Sequence, residues 1–204
     1  IYLMDADGNR VRQLTQDGAE NACPVFSGDG KKLAFQSRRD GHFEIYMLDL
    51  DSGKLTNVSK HPANDACPAL SHDGQKLAFV SDRDGQMEIY VMDADGTNQT
   101  RLTKEAGENM DPAFSPDGWK IVFTSNRDGN FEIYTMDTDG KNQTRLTRND
   151  VADIQPAFSH DGNWIAFERD GRVWLMAADG SNQRPVIASF PYQGAPAWGP
   201  CRPR

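Results

Sequence analysis

Apolar side chains in this chain come in short clusters, Leu33-Ala34-Phe35, Ile45-Tyr46-Met47, Leu77-Ala78-Phe79 and Ile121-Val122-Phe123, separated by polar segments that carry an Asp-Gly pair. The clusters lack the three- and four-residue recurrence of an amphipathic helix, so no helix is predicted. Runs this short, with apolar side chains for both faces, predict strands sandwiched between two neighbouring layers. Asp-Gly supplies the tight, left-handed backbone a hairpin needs and marks the turns between them.

The clusters recur as a unit. A Pro followed by Ala or Val, then an aromatic residue or Leu, then a small residue stands at Pro24, Pro68, Pro112, Pro156 and Pro196, at spacings of 44, 44, 44 and 40 residues. Each unit predicts strand A at the Pro-Ala-Phe segment. Strand B is expected at 33–35, 77–79, 121–123 and 165–167, strand C at 44–46, 88–90 and 132–134, and strand D at Leu-Thr pairs such as 102–103 and 146–147. Four antiparallel strands in about 44 residues predict an all-β fold, a β-propeller. The expected single domain has four complete blades, at 24–67, 68–111, 112–155 and 156–195, and a composite fifth blade in which 1–23 supplies strands C and D and 196–204 the closing strand A. The expected core is Phe26, Phe35, Tyr46, Leu70, Phe79, Tyr90, Phe114, Phe123, Tyr134, Phe158, Phe167, Trp174 and Trp198. The composite blade lacks the counterpart of 33–44, strand B with its loop, and bare strand edges need cover. Three covers are open: residues upstream of Ile1, a strand donated by another copy in a non-closing self-association, or direct pairing of A on C.

The string Ser-x-Asp-Gly-x-x-[Leu/Ile]-[Ala/Val]-Phe-x-Ser-x-Arg-Asp-Gly-x-x-Glu-Ile-Tyr-x-Met-Asp-x-Asp-Gly resembles the WD-like repeat of TolB-type propellers, and Pro196-Ala197-Trp198-Gly199-Pro200 resembles their short closing strand. The likeness covers nearly the whole chain. It implies a periplasmic or extracellular, non-enzymatic binding scaffold, although the same repeat also serves peptidase gating domains and carbohydrate-active proteins. Proteins of that type usually carry six blades and a separate N-terminal domain, whereas the repeats here account for five.

Among 204 residues, 30 acidic side chains against 22 basic ones give a net charge of -8 and a pI near 4.9. That balance argues against nucleic acid and anionic lipid, both of which demand clustered positive charge. No run approaches the roughly 18 apolar residues of a spanning helix, so no membrane insertion is expected. Cys23, Cys67 and Cys201 are too few and too far apart in sequence for a zinc site or a disulfide scaffold, and at least one has no partner within the chain.

No catalytic residues are expected. Ser71-His72-Asp73 and Ser159-His160-Asp161 invite a triad reading, but neighbours within one turn cannot converge on a reacting atom, and the middle position is Gly28 or Pro116 in sister repeats. Asp-x-Asp-Gly, at 5–8, 93–96 and 137–140, invites a calcium reading; these hairpins lack the later bidentate carboxylate of a calcium loop, and turn chemistry is the better account. No metal site and no cofactor are therefore expected, calcium being the one ion left in view. Arg39, Arg83, Arg127 and Arg169 recur in the loop between strands B and C and are expected to brace the ring by pairing with the next blade. The sequons at Asn57, Asn98 and Asn142 are expected on the exposed rim, as glycan sites if the chain is secreted by a glycosylating cell.

Variation between repeats points to function more than recurrence does. The loops from strand D to the next strand A carry Asn21, Asp65, Glu108, Asn109, Asp111 and Asp153, which are expected to form an acidic, amide-rich channel mouth that takes a protein or peptide partner or an ion. Two other functions stay open at this point: a structural subunit of an extracellular, glycosylated fibre built through the incomplete blade, and a non-catalytic carbohydrate-binding remnant of a carbohydrate-active propeller.

Overall fold

The computed structural model describes residues 1–186. The described residues contain no helix. A two-stranded hairpin, β1 (Tyr2–Leu3) and β2 (Arg12–Gln13), precedes four antiparallel four-stranded meanders. The first comprises β3 (Asn21–Phe26), β4 (Lys32–Ser37), β5 (Glu44–Asp49) and β6 (Leu55–Asn57). The second runs through β7 (Asp65–Leu70), β8 (Lys76–Ser81), β9 (Glu88–Asp93) and β10 (Thr100–Arg101). β11 (Asn109–Phe114), β12 (Lys120–Ser125), β13 (Glu132–Asp137) and β14 (Thr144–Arg145) make the third, and β15 (Asp153–Phe158), β16 (Trp164–Arg169), β17 (Arg172–Ala177) and β18 (Arg184–Pro185) the fourth. The sheets are the blades of a propeller. Their first strands pack side by side, β3 on β7, β7 on β11 and β11 on β15, around a central channel.

Turn chemistry sets the hairpins. Ser27 Oγ donates to Asp29 Oδ1 at 2.6 Å, Asp29 accepts from the Lys31 N–H at 3.0 Å, and Gly30 closes the turn at φ 70°. The same bonds return at Ser71-Asp73, Ser115-Asp117 and Ser159-Asp161, so both Ser-His-Asp strings are spent on a turn. The 40-residue final spacing also has a local cause. β16 and β17 are joined by Asp170 and Gly171 alone, both at positive φ, as the mirror-image hairpin turn needs, where the other blades have a six-residue loop.

Register then sorts side chains by size. In the third blade Ile121 pairs with Met136 and Phe123 with Tyr134, and these large groups face the second blade's Ala69, Ala78, Ile89 and Leu102. Val122, Ile133 and Leu146 on the opposite side receive Ile165, Phe167 and Met176 of the fourth blade. Every blade therefore presses a bulky face into the smaller face of its predecessor. Ile1 and Leu14 of the N-terminal hairpin cover the bulky face of the first blade, over Leu33, Phe35, Tyr46 and Leu48. The Leu14 N–H donates to the Ile1 carbonyl, as Val58 does to Ile45, which identifies the hairpin as strands C and D of a partial blade.

Three expectations need correction. Phe26 is 47% exposed rather than core. Its counterparts Phe114 and Phe158 lean on the preceding blade, but the unit preceding Phe26 contributes only its two outer strands among the described residues. Strand D ends earlier than expected: β10 and β14 stop at Arg101 and Arg145, and the Leu-Thr pairs follow as buried anchors. The third concerns the sequons: Asn98 and Asn142 are exposed, yet Asn57 is half-buried, with its side chain bonded to Asp40 and the Lys60 N–H. Trp198 and the proposed closing strand at 196–204 lie outside the described residues.

Two predictions test this packing. Phe123→Ala removes a fully buried ring and should cost about 3–5 kcal/mol in urea unfolding. Gly28→Ala should destabilise by about 1–3 kcal/mol, because its Cβ would stand 2.1 Å from the His72 carbonyl oxygen of the next blade, whereas substituting the unhindered Gly30 is strained only by its positive φ.

Candidate functional site

Strand A of every blade carries a bulge. Pairing with strand B slips between Ala22 and Val25, Ala66 and Ala69, Met110 and Ala113, and Ile154 and Ala157. The residue before the conserved-in-repeat proline, Cys23, Cys67, Asp111 or Gln155, sits in the slip at φ 48–54°. A residue followed by proline is already restricted, and a bulge is the usual place where a strand re-aims a side chain. These four residues and their prolines line one cavity of about 290 Å³ in the channel. The Cys67 N–H is held by Gln36 Oε1 at 2.9 Å and the Gln155 N–H by Thr124 Oγ1 at 3.2 Å, so these two bulges are bonded to the preceding blade.

The six residues expected at the mouth divide into three groups. Asn21, Asp65, Asn109 and Asp153 occupy one repeated position, the first residue of strand A, and serve the architecture. Arg83 donates to both oxygens of the fully buried Asp65 at 2.9 and 3.0 Å, Arg127 to Asn109 at 2.8 Å, Arg169 to Asp153 at 2.6 and 2.7 Å, and Arg39 to Asn21 at 3.3 Å. Each guanidinium also lies over an aromatic pair, Arg83 over Phe79 and Tyr90 and Arg169 over Phe167 and Trp174. Glu108 stands exposed on the rim. Asp111 alone of the six belongs to the channel ring, where Thr124 donates to it at 3.2 Å and burial pushes its carboxyl above the usual range.

The four arginines brace differently from expectation. Each pairs with the first strand-A residue of its own sheet, Arg39 and Arg127 also reach Asp17 and Glu105 in the loops that lead into those sheets, at 2.6 and 3.4 Å, and for Arg83, Arg127 and Arg169 the link to the neighbour runs through a glutamine: Arg83 donates to Gln99 Oε1 at 2.8 Å, and Gln99 Nε2 donates to the Ser59 carbonyl of the preceding blade at 2.9 Å. Arg127 with Gln143 and Arg169 with Gln183 repeat the arrangement. The Asp-x-Asp-Gly carboxylates are likewise occupied, Asp93 by Lys76, Thr97 and Asn98. Among the described residues, no group of three or more His, Cys, Asp or Glu side chains is arranged to hold a metal ion. Sequence reasoning missed the ring of Cys23, Cys67 and Gln155. Its signal was present, since these residues precede proline at one repeat spacing.

The far mouth is apolar. Val25, Phe26, Leu70, Phe114 and Phe158 line a cavity of about 580 Å³ there, rimmed by the Ser-x-Asp-Gly turns.

Removing a guanidinium tests the clamp. Burial holds the Asp65 carboxyl above its ordinary value even with Arg83 in place, so folding binds a proton at this site more tightly than the unfolded chain does. Arg83→Met should cost about 3–5 kcal/mol at neutral pH, as expected for a buried charge that loses its partner. The deficit should shrink as pH falls through the acid range, because a protonated Asp65 no longer needs the cation; unfolding midpoints from pH 8 to pH 4 check the sign.

TolB from Acinetobacter baumannii is similar over 91% of this chain at 26% identity and a TM-score of 0.81, and this chain spans about half of it, 48% of its length. A putative TolB from Agrobacterium tumefaciens matches over 96% of this chain and 91% of its own, at 26% identity and a TM-score of 0.70. An oligogalacturonate lyase in complex with manganese, at 21% identity over 93% of this chain and 60% of its own with a TM-score of 0.69, shares the fold alone. No curated protein matches. Residues 1–201 match the TolB beta propeller domain, and the chain belongs to that family.

Proposed function

We propose that this propeller is a non-catalytic scaffold, periplasmic or extracellular, that binds a protein or peptide segment at the channel mouth. The observation that carries the reading is Asp111. It is a largely buried carboxylate at the channel neck whose hydrogen-bond donor is a threonine hydroxyl, with no cation paired to it among the described residues. The equivalent position in the neighbouring blades holds Cys67 and Gln155, so the charge serves no repeated structural need. A lysine or arginine side chain entering the neck supplies the missing counter-charge, and exposed Glu108 on the rim steers it inward.

Family membership supports a binding role. The serine and histidine side chains that suggest hydrolysis belong to turns, which supports the non-catalytic reading. Among the described residues no helix is long and apolar enough to cross a membrane.

Titration of a fluorescently labelled Lys/Arg-rich peptide into the folded protein tests the proposal. Asp111→Asn should weaken binding about tenfold and Glu108→Gln about threefold or less, with affinity falling as salt rises. Because burial raises the Asp111 carboxyl, affinity should drop on acidification at a higher pH than an ordinary aspartate would set. Equal affinity of wild type and Asp111→Asn at low salt, with the ring intact by circular dichroism, refutes it.

A further inference from the structure

Two of the four channel bulges carry thiols. Cys23 and Cys67 stand at the same position of adjacent blades, each before a proline and each in the left-handed backbone of the bulge, at φ 51° and 48°. Their strands, β3 and β7, pack side by side, and both side chains line the channel cavity. The fold does not ask for cysteine here, since the same bulge is made with Asp111 and Gln155 in the next two blades.

Each thiol is the other's strongest partner. The hydrogen bond to Cys67 is the largest cause that brings Cys23 down to about 7, while the same contact, burial and nearby Asp111 all push Cys67 up. Cys23 is exposed and Cys67 half-buried. An accessible thiol that ionises near neutrality, facing a protonated thiol from the adjacent strand across one small cavity, is the arrangement of an attacking and a resolving cysteine.

We propose that Cys23 and Cys67 are a dithiol site for small-molecule disulfides, which close it to an intramolecular disulfide joining the innermost strands of the first two blades. Cys23 thiolate attacks one sulfur of a disulfide RSSR, forming the mixed disulfide Cys23-S-S-R and releasing RS⁻. Cys67 passes its proton to the released thiolate or to water, and its own thiolate then attacks Cys23 Sγ, expelling the second RS⁻. The protein loses two hydrogens and two electrons, and RSSR becomes two RSH. The proposal does not rest on the peptide-binding reading, although Asp111 lines the same cavity.

The test uses the full chain and glutathione disulfide as the probe. Oxidation of the folded protein should remove two thiols and release two glutathiones, and trypsin should yield peptide 13–31 joined to 61–76. Cys201→Ser should behave identically. Cys67→Ala should stop at a glutathione adduct on Cys23, and alkylation of its Cys23 by iodoacetamide at pH 7 should be roughly tenfold slower than in the reduced wild type, because alanine removes the donor that lowers Cys23. Circular dichroism keeps the folded state in view for every variant. The proposal is overturned if the folded chain keeps both thiols, if either cysteine links to Cys201 instead, or if the 13–31/61–76 pair forms only in denaturant.

Discussion

A sheet that is apolar on both faces cannot stand alone in water, and that constraint organises the molecule. Phe79, Phe123 and Phe167 are each fully buried because the preceding sheet's small face, built on residues such as Ala34, Ala69 and Ala78, leaves room for them, while Phe35 is covered by Ile1 and Leu14 of the N-terminal hairpin. Large against small at every interface fixes the spacing between blades. With that spacing set, the innermost strands converge on a common axis, and whatever they carry at one repeated position becomes a ring. The channel is thus a by-product of the same packing that stabilises the blades.

Closing such a ring leaves polar groups at its crowded inner edge, and the arginine of the loop between strands B and C satisfies them. Its guanidinium answers an acid or amide at the start of strand A, covers two rings and, in the second, third and fourth blades, reaches the preceding blade through a glutamine amide. An acidic residue held this way is already neutralised, so an abundance of carboxylates near the mouth does not by itself make a binding site. Asp111 differs because it lies one bulge further into the channel, beyond the reach of the clamp. Among the described residues a threonine hydroxyl donates to it, and no cation is paired with it.

The same bulge accounts for the chemistry of the thiols. It turns a strand position that would otherwise be committed to pairing into one that faces the channel, and it does so in every blade. A single architectural device therefore presents a carboxylate, an amide and two thiols to one small space, where proximity rather than any one side chain creates reactivity.

Fold, repeat length and turn positions were legible in the sequence because they rest on local rules: Asp-Gly fixes where the chain reverses, and apolar clusters at a constant spacing can be buried only by stacking like units. The partial N-terminal blade was legible for the same reason, from Ile1-Tyr2 against Ile45-Tyr46. Site chemistry was not. Asp65, Glu108, Asp111 and Asp153 look alike in a string of letters, and only tertiary contacts separate a clamped carboxylate from an exposed one and from one stranded in the channel. Phe26 reads as core, yet its burial depends on the blade that precedes it. Cys23 and Cys67 read as distant singletons, and the ring made them neighbours, because a separation of one repeat along the chain is a step to the adjacent blade around the axis.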